Sequence, residues 1–415
     1  MASEVGMDRR IAPGTRLLIL SSLLLAACGE SAPIAPADAG AAVDAHREVL
    51  PPFDAGRIEG RDGGAFEIDA GTCDTWGLTD EGEPIAGLVP GEWIFVDVPE
   101  AHCANGSSTG FAVNLSPTGS DRLVIYLEGG GACFDETSCA SVAGGRGYDA
   151  ETLEVTSIVL SGYGIFRRED ESNPARDWNQ VYIPYCTGDA HAGTNAAGFG
   201  GREHVGFSNV THDLRRIVPT FRDPAMVLLT GASAGGLGAL ANFDQVQQAF
   251  GCSPVHLLDD SGPILEDDYL RPCLQSLTRE LWGIVPPADC PQCTMPDGGG
   301  LAALWPYLAT KYPDRRFALL SNTADSTIRS FYGAGITRDC RSGARLSSEV
   351  FEEGLVDLRD RALAPFPNAA TFYVESDAHT FLIGGFETPV AGGITLGEWV
   401  QRMLDGADGW QSVGP

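Results

Sequence analysis

Ala225-Met226-Val227-Leu228-Leu229-Thr230-Gly231-Ala232-Ser233-Ala234-Gly235-Gly236-Leu237 is the stretch on which the reading of this chain turns. Its first half is an apolar run that predicts a buried strand, and a helix-like segment continues from Leu237 to Phe250. Between them stand small residues with Ser233 at the centre, in the spacing Gly-x-Ser-x-Gly. A strand that turns sharply into a helix with a serine at the tip presents that hydroxyl as a nucleophile, the arrangement called a nucleophile elbow. The glycines have a mechanical job, because a Cβ at either would collide with neighbouring chain in so tight a turn. In a chain with 52 glycines the five-residue pattern alone carries little, and the flanking strand and helix give it meaning.

Outward from that stretch, short apolar runs alternate with longer mixed segments, as parallel α/β folds require. Strands are predicted at 93–96, 111–115, 123–127, 181–185, 226–229, 255–258, 317–320 and 371–374, and helices at 205–218, 237–250, 301–310 and 348–363. The strand runs are continuously apolar, which suits central strands covered on both faces. With the elbow, they predict a single α/β-hydrolase-like domain over residues 71–415, built on a mostly parallel central sheet. Its chemistry is expected at the carboxyl ends of the strands.

A serine hydroxyl needs a histidine to remove its proton and a carboxylate to orient that histidine, and in such folds they follow in the order Ser, acid, His. Only His256 and His379 come after Ser233. His256 falls inside the strand at 255–258 and is expected to pack or bond locally. His379, in Glu375-Ser376-Asp377-Ala378-His379 just past the last strand, is the expected base. Asp325 follows the strand at 317–320 through Ser321-Asn322-Thr323-Ala324 and is the expected acid. Its rivals Asp259 and Asp260 are expected to cap or bond backbone in the turn Asp260-Ser261-Gly262-Pro263, and Asp377 reads as a polar loop residue. An acyl-transfer site also needs N–H groups aimed at the developing oxyanion. The strand at 123–127 runs into Glu128-Gly129-Gly130-Gly131-Ala132-Cys133, so the expected donors are Gly130, with Gly129, and Ala234 after the serine. A phosphate-binding loop does not fit, since the Lys-Ser/Thr and Gly-x-Gly-x-x-Gly patterns are missing from it.

The first residues read as an export signal, with Arg9, Arg10 and Arg16 ahead of the apolar stretch 17–25, which is too short to span a bilayer. Leu25-Ala26-Ala27-Cys28 resembles the bacterial lipoprotein box. The expectation is a signal peptide over 1–27, lipid on Cys28, and a flexible tether over 28–70, where Ala, Asp, Gly and Pro recur without an apolar period. That describes an exported bacterial lipoprotein, periplasmic or at the cell surface and held to the outer membrane, meeting the membrane only through its anchor. The signal carries two acids and three arginines, so its removal takes the formal charge from −29 to −30. Such a charge argues against nucleic acid, anionic membrane surfaces and polyanionic substrates. Eleven cysteines divide into the lipid carrier and ten others, an even number that points to disulfides in an exported protein. Cys133 and Cys139 are close enough for a short-loop bridge. Cys290-Pro291-Gln292-Cys293 has no second pair at metal spacing, so neither a metal nor a cofactor is expected.

Four stretches together resemble the pectin acetylesterase family, which includes Notum-like carboxylesterases. They are Tyr126-Leu127-Glu128-Gly129-Gly130-Gly131-Ala132-Cys133 with Cys139, Ile183-Pro184-Tyr185-Cys186-Thr187-Gly188-Asp189, Gly231-Ala232-Ser233-Ala234-Gly235-Gly236 with Asn242-Phe243-Asp244, and Asp260-Ser261-Gly262. The resemblance implies Ser233, Asp325 and His379 as nucleophile, acid and base, the same choices that order and placement give. It implies a deacylase that removes acetyl groups from carbohydrate such as pectin, so the expected partner is an acetylated polysaccharide or a small ester. Two positions depart from the pattern. Ala232 stands where family members carry cysteine, and Gly131 stands where some, including the lipid-cleaving member, carry tryptophan, which argues against a closed lipid pocket. Charge also pulls against pectin, itself a polyanion, although Arg167, Arg168 and Arg202 are candidates to line a cleft. Asp189 and His191 read equally as cleft or structural residues. The alternatives are a surface lipoprotein that binds glycan without turnover, and a lipid or thioester deacylase using the same machinery.

Overall fold

The structure, a computed structural model, describes residues 73, 77, 78, 80–142 and 147–415, with the backbone of two short antiparallel strands, β1 (Ile58–Glu59) and β2 (Ala65–Phe66). The expected signal peptide (1–27), the lipid carrier Cys28 and most of the expected tether (28–70) lie outside the described residues.

Each of the eight strands predicted from the sequence overlaps a strand of one eight-stranded sheet. The strands are β3 (Trp93–His102), β4 (Ser108–Asn114), β5 (Arg122–Leu127), β6 (Asn179–Ile183), β7 (Met226–Ala232), β8 (Val255–Asp260), β9 (Phe317–Asn322) and β10 (Ala369–Val374). Their spatial order is β10-β9-β8-β7-β5-β6-β4-β3, parallel from β10 to β6 and antiparallel at the β4 and β3 edge. Parallel neighbours need long crossovers, and helices supply most of them. In chain order these and the flanking helices are α1 (Glu136–Ser141), α2 (Ala150–Leu160), α3 (Gly206–Thr220), α4 (Ala234–Ala249), α5 (Pro272–Trp282), α6 (Leu304–Lys311), α7 (Ser326–Tyr332), α8 (Ser348–Asp357) and α9 (Leu396–Leu404). A hairpin of β11 (Val390–Ala391) and β12 (Ile394–Thr395) precedes α9.

Alternate residues of each central strand feed two cores. Val227, Leu229 and Leu257 pack on one face with Leu214 and Ile217 of α3 and Phe243 of α4. Leu228 and Leu258 pack on the other with Leu160 of α2 and Trp399 of α9. Burial on both faces is why these strands read as unbroken apolar runs, and each fully buried leucine contributes about 1.5–3 kcal/mol. α3 shows the matching helical logic, with Val210, Leu214 and Ile217 forming one buried stripe.

Register brings the site together. Leu127 lies beside Gly231, Ala232 beside Asp260, and Asn322 beside Val374. Because these strands are parallel, the turns that follow β5, β7, β8, β9 and β10 all leave the sheet at one edge.

The ten cysteines at and after position 73 form five bridges: Cys73–Cys252, Cys103–Cys186, Cys133–Cys139, Cys273–Cys340 and Cys290–Cys293. The expected short-loop pair is present, and the Cys-Pro-Gln-Cys motif is a disulfide. Among the described residues no helix is long and apolar enough to cross a membrane.

Candidate active site

Ser233 follows β7 directly and caps α4, with φ 60° and ψ −121°. A non-glycine residue in that region is strained and is held there by its neighbours. Those neighbours leave no room for side chains. A Cβ at Gly235 would strike the backbone of Leu127 and Glu128, and one at Gly231 would strike the carbonyls of Gly235 and Leu127. The glycines at the elbow are therefore required by contact between β5 and the turn, as the sequence pattern suggests. Ser233 itself is 9% exposed, at the floor of an opening.

Asp325 and His379 leave adjacent strand ends, three residues past β9 and five past β10. They meet as a pair, His379 Nδ1 donating to Asp325 Oδ2 at 2.7 Å. Asp325 is fully buried and its other oxygen, Oδ1, caps α7 by accepting the N–H groups of Thr327 (2.9 Å) and Ile328 (3.0 Å). A carboxylate fixed by two backbone donors cannot swing away, so it holds the imidazole in the tautomer with Nε2 free. Ser233 is tied to the same corner through Asp260, whose carbonyl accepts the Ser233 N–H at 2.7 Å. No hydrogen bond joins the Ser233 hydroxyl to His379 in this arrangement. Catalytic hydrogen bonds are often open in a ligand-free site and close when substrate binds.

The glycine-rich turn after β5 is held by its carbonyls. The Glu128 carbonyl accepts from His191 Nε2 (2.8 Å), the Gly131 carbonyl from the Tyr185 hydroxyl (2.9 Å), and the Cys133 carbonyl from the Trp282 indole (2.7 Å). The Cys133–Cys139 bridge fixes its far end. With those carbonyls drawn outward, the N–H groups of Gly129 and Gly130, like that of Ala234 at the start of α4, have no acceptor among the described residues. A Cβ at Gly129 would lie 3.1 Å from Ser233 Cβ, so this turn abuts the elbow.

An open apolar pocket runs beside Ser233. Phe134, Ile264, Leu270, Leu274 and Trp282 are among its walls, and Gly131 and Ala234 border it near the serine. Gly131, read from sequence as evidence against a closed lipid pocket, borders this open one. Phe331 lies 3.3 Å from where a Cβ at 131 would stand and lines the same pocket.

Other residues singled out in the sequence fall away from the site. His256 is buried in β8 and its Nδ1 accepts the Arg316 N–H at 3.0 Å, the local bonding expected of it. Asp259 accepts the Gly262 N–H at 2.8 Å, as a turn residue should, whereas Asp260 reaches much further, to Phe381 and Leu382. Asp189 and His191 are buried supports, Asp189 accepting the Gly206 N–H and the Thr187 hydroxyl. Arg168 is committed to Asn114 and to the Arg176 and Trp178 carbonyls, so it does not line a cleft. His191, which the sequence left equally a cleft or a structural residue, supports the turn, as do Tyr185 and Trp282, to which sequence reading gave no role. The family-like stretch 183–189, which contains Tyr185 and ends two residues before His191, was the signal that could have found two of them.

Comparison with known proteins finds likeness over the same part of the chain. The pectinacetylesterase family model matches residues 92–282. Palmitoleoyl-protein carboxylesterase NOTUM of Homo sapiens is 31% identical over 192 residues, 42% of this chain and 37% of that one. Its namesake in Schmidtea mediterranea is 33% identical over 161 residues, 37% of this chain and 30% of that one. Notum2 of Xenopus laevis is 29% identical over 215 residues, 46% of this chain and 43% of that one. In each case the match spans less than half of the relative's length. Among solved structures, the Wnt deacylase Notum from Drosophila superposes with a TM-score of 0.54 at 19% identity, covering 76% of this chain and 92% of that one, which shows a shared fold. The segment that carries the glycine-rich turn, the elbow and Asp260 is thus the part of this chain that resembles the pectinacetylesterase family and its Notum carboxylesterases.

Proposed function

We propose that the protein is a serine carboxylesterase that works through an acyl-enzyme. The observation that carries the proposal is the buried Asp325–His379 pair at 2.7 Å, set at the same sheet edge as a serine in a strained elbow. His379, its Nδ1–H committed to Asp325, offers Nε2 to the Ser233 proton as the hydroxyl attacks the ester carbonyl. The N–H groups of Ala234, Gly130 and Gly129 receive the oxyanion. The imidazolium then gives its proton to the leaving alkoxide, and water repeats the sequence to release the acid.

Family likeness points to O-acetylated carbohydrate as substrate, but a specific observation favours the deacylase reading with longer chains. An acetyl methyl would touch few of the apolar side chains that line the pocket beside Ser233, whereas each further methylene seated among them gains about 0.8 kcal/mol. The relatives named for palmitoleoyl-protein substrates agree in direction. Export and lipid attachment at Cys28 belong to the same proposal, and Cys28→Ala should move the protein from the membrane to the soluble fraction.

The test is a series of p-nitrophenyl esters from acetate to dodecanoate, beside a panel of acetylated glycans, on wild type and Ser233→Ala. Wild-type kcat/KM should rise roughly two- to fourfold per methylene over the first several carbons, and Ser233→Ala should be inactive though folded. A maximum at acetate would return the substrate to acetylated carbohydrate. Full activity in Ser233→Ala would end the esterase proposal, and glycan binding without ester turnover would favour the non-catalytic alternative.

A further inference from the structure

One fully buried carboxylate touches both halves of the site without a part in proton transfer. Asp260 ends β8, and its carbonyl accepts the Ser233 N–H at 2.7 Å. Its side chain reaches the opposite way. Oδ2 accepts the N–H groups of Phe381 and Leu382, each at 2.8 Å, while Oδ1 takes the Ser261 hydroxyl at 2.9 Å and a longer bond from Phe381 at 3.1 Å. Phe381 and Leu382 follow His379 by two and three residues. Between them Thr380 has φ +64°, a conformation that β-branched residues rarely adopt and that persists only where the surroundings impose it.

What imposes it can be named. Before His379, the Ala324 and Ser326 N–H groups bond the Ser376 and Asp377 carbonyls at 3.0 and 3.2 Å. After Thr380, Asp260 takes the two successive N–H groups, and Ile165 N–H bonds the Leu382 carbonyl at 2.9 Å. The imidazole therefore hangs from a strained link clamped at both ends, and one clamp is the residue that also fixes the nucleophile's amide.

We propose that Asp260 is a positioning residue, whose carboxylate sets the His379 loop and whose carbonyl sets Ser233, so that one residue fixes base and nucleophile relative to each other. This inference rests on the esterase reading above. Three donor groups converge on two oxygens, which suits an acceptor-only carboxylate, and an amide would turn N–H groups toward donors. The ionisable groups facing it are Asp259 on the same strand, Tyr126 on β5 and His379 in the loop. Burial pushes the Asp260 carboxyl up to about 6, against the pull of the Leu382 and Phe381 N–H groups, the Ser261 hydroxyl and His379. Protonation then places an O–H among the converging donors, so the clamp loosens as pH falls through that value.

The experiment compares wild type, Asp260→Asn and Ser233→Ala on p-nitrophenyl butyrate from pH 4.5 to 8, with thermal melting as a check on folding. Asp260→Asn should lower kcat roughly 10- to 100-fold through misplacement of the base. Its KM should stay within about twofold of wild type, because the acyl pocket is left intact. The acid limb of kcat/KM in wild type should be steeper than in Asp260→Asn, since protonation of Asp260 adds its own loss of activity. In Asp260→Asn it should fall with a slope of about one. Wild-type kcat in a folded Asp260→Asn protein overturns the inference, as does an acid limb of the same steepness in both proteins. Should the variant not fold, Asp260→Glu, which keeps the carboxylate but displaces it by a methylene, takes its place, and wild-type kcat in that protein overturns the inference equally. An inactive Ser233→Ala beside a normal Asp260→Asn removes the positioning role and spares the esterase, whereas an active Ser233→Ala removes the esterase.

Discussion

Asp325→Asn separates the two jobs of that residue, because an amide has one acceptor oxygen where the carboxylate has two. In the native site Oδ1 accepts two N–H groups from the start of α7 while Oδ2 accepts His379 Nδ1–H. If the amide oxygen turned to His379, its NH2 would face the Thr327 and Ile328 donors in a fully buried place, leaving donors unpaired at about 1–3 kcal/mol each. The oxygen should therefore keep the cap and present NH2 to the imidazole. His379 must then accept at Nδ1 and carry its proton on Nε2, the wrong tautomer for a base. The expected result is a fall in kcat of about 10³–10⁴, or about 4–5.5 kcal/mol in the barrier. Stability should change by less than about 1 kcal/mol, since the cap survives. Asp325→Ala should lose similar activity but also about 1–2 kcal/mol of stability, because the cap goes with it. Initial rates on p-nitrophenyl butyrate and urea unfolding of the three proteins decide the matter. A folded Asn variant within tenfold of wild-type kcat would refute the tautomer reasoning.

Gly235→Ala should destabilise the fold by about 1–3 kcal/mol and lose most activity, because its Cβ meets backbone of Leu127 and Glu128 that cannot rotate aside. Unchanged melting and turnover would show that the elbow has slack. The pH dependence of stability should carry a signature of His256, which burial and the charges of Arg315 and Arg316 lower to about 4. A depressed histidine leaves the unfolded chain binding more protons between about 6.5 and 4, so stability is lost as pH falls through that window. The loss approaches about 3 kcal/mol. Asp260, raised to about 6, works in the opposite direction over an overlapping range, since there the folded chain binds the extra proton. His256→Asn should therefore gain about 2–3 kcal/mol on wild type between pH 7 and 4.5 in urea unfolding, and parallel curves would contradict the assignment.

The sheet was legible because its central strands are buried on both faces and read as apolar runs. Three of their carboxyl ends were read short. β7 continues through Gly231-Ala232, β8 through Asp259-Asp260 and β9 through Ser321-Asn322, small or polar residues that look like loop. Those are the strand ends that build the site, so function hid the boundary. The helices expected at 205–218, 237–250, 301–310 and 348–363 are present, the third beginning as a 3₁₀ turn at Leu301–Ala303 and the last ending in a π-helical turn at Leu358–Leu363. α2 went unseen because only Leu153 and Leu160 are buried, while Val155 and Ile158 face outward and blur its stripe. α7 is seven residues long and has too few turns to show a period. Four of the five disulfides join positions whose pairing spacing does not specify. The Asp325–His379 pair followed from chain order, but the reach of Asp260 to Phe381, 121 residues away, has no local signature.

Strain and support are gathered in the same place. Of seven non-glycine residues with positive φ among those described, five lie in the site or its props: Ala190, His191, Ser233, Ser261 and Thr380. Each such residue costs of order 1–3 kcal/mol, so the set is held only by an equally concentrated group of bonds. His191 is held through Glu128 and Asp189, Ser261 through Leu320 and Asp260, and Ser233 and Thr380 through Asp260 from either side. Nearly all these holding groups are buried, where a hydrogen bond made is strong and one lost is costly. The arrangement is therefore close to all-or-none. Small changes at Asp260, His191 or the elbow glycines should remove catalysis together with local order, whereas changes in the apolar pocket should shift which acyl group is accepted and leave the machinery standing.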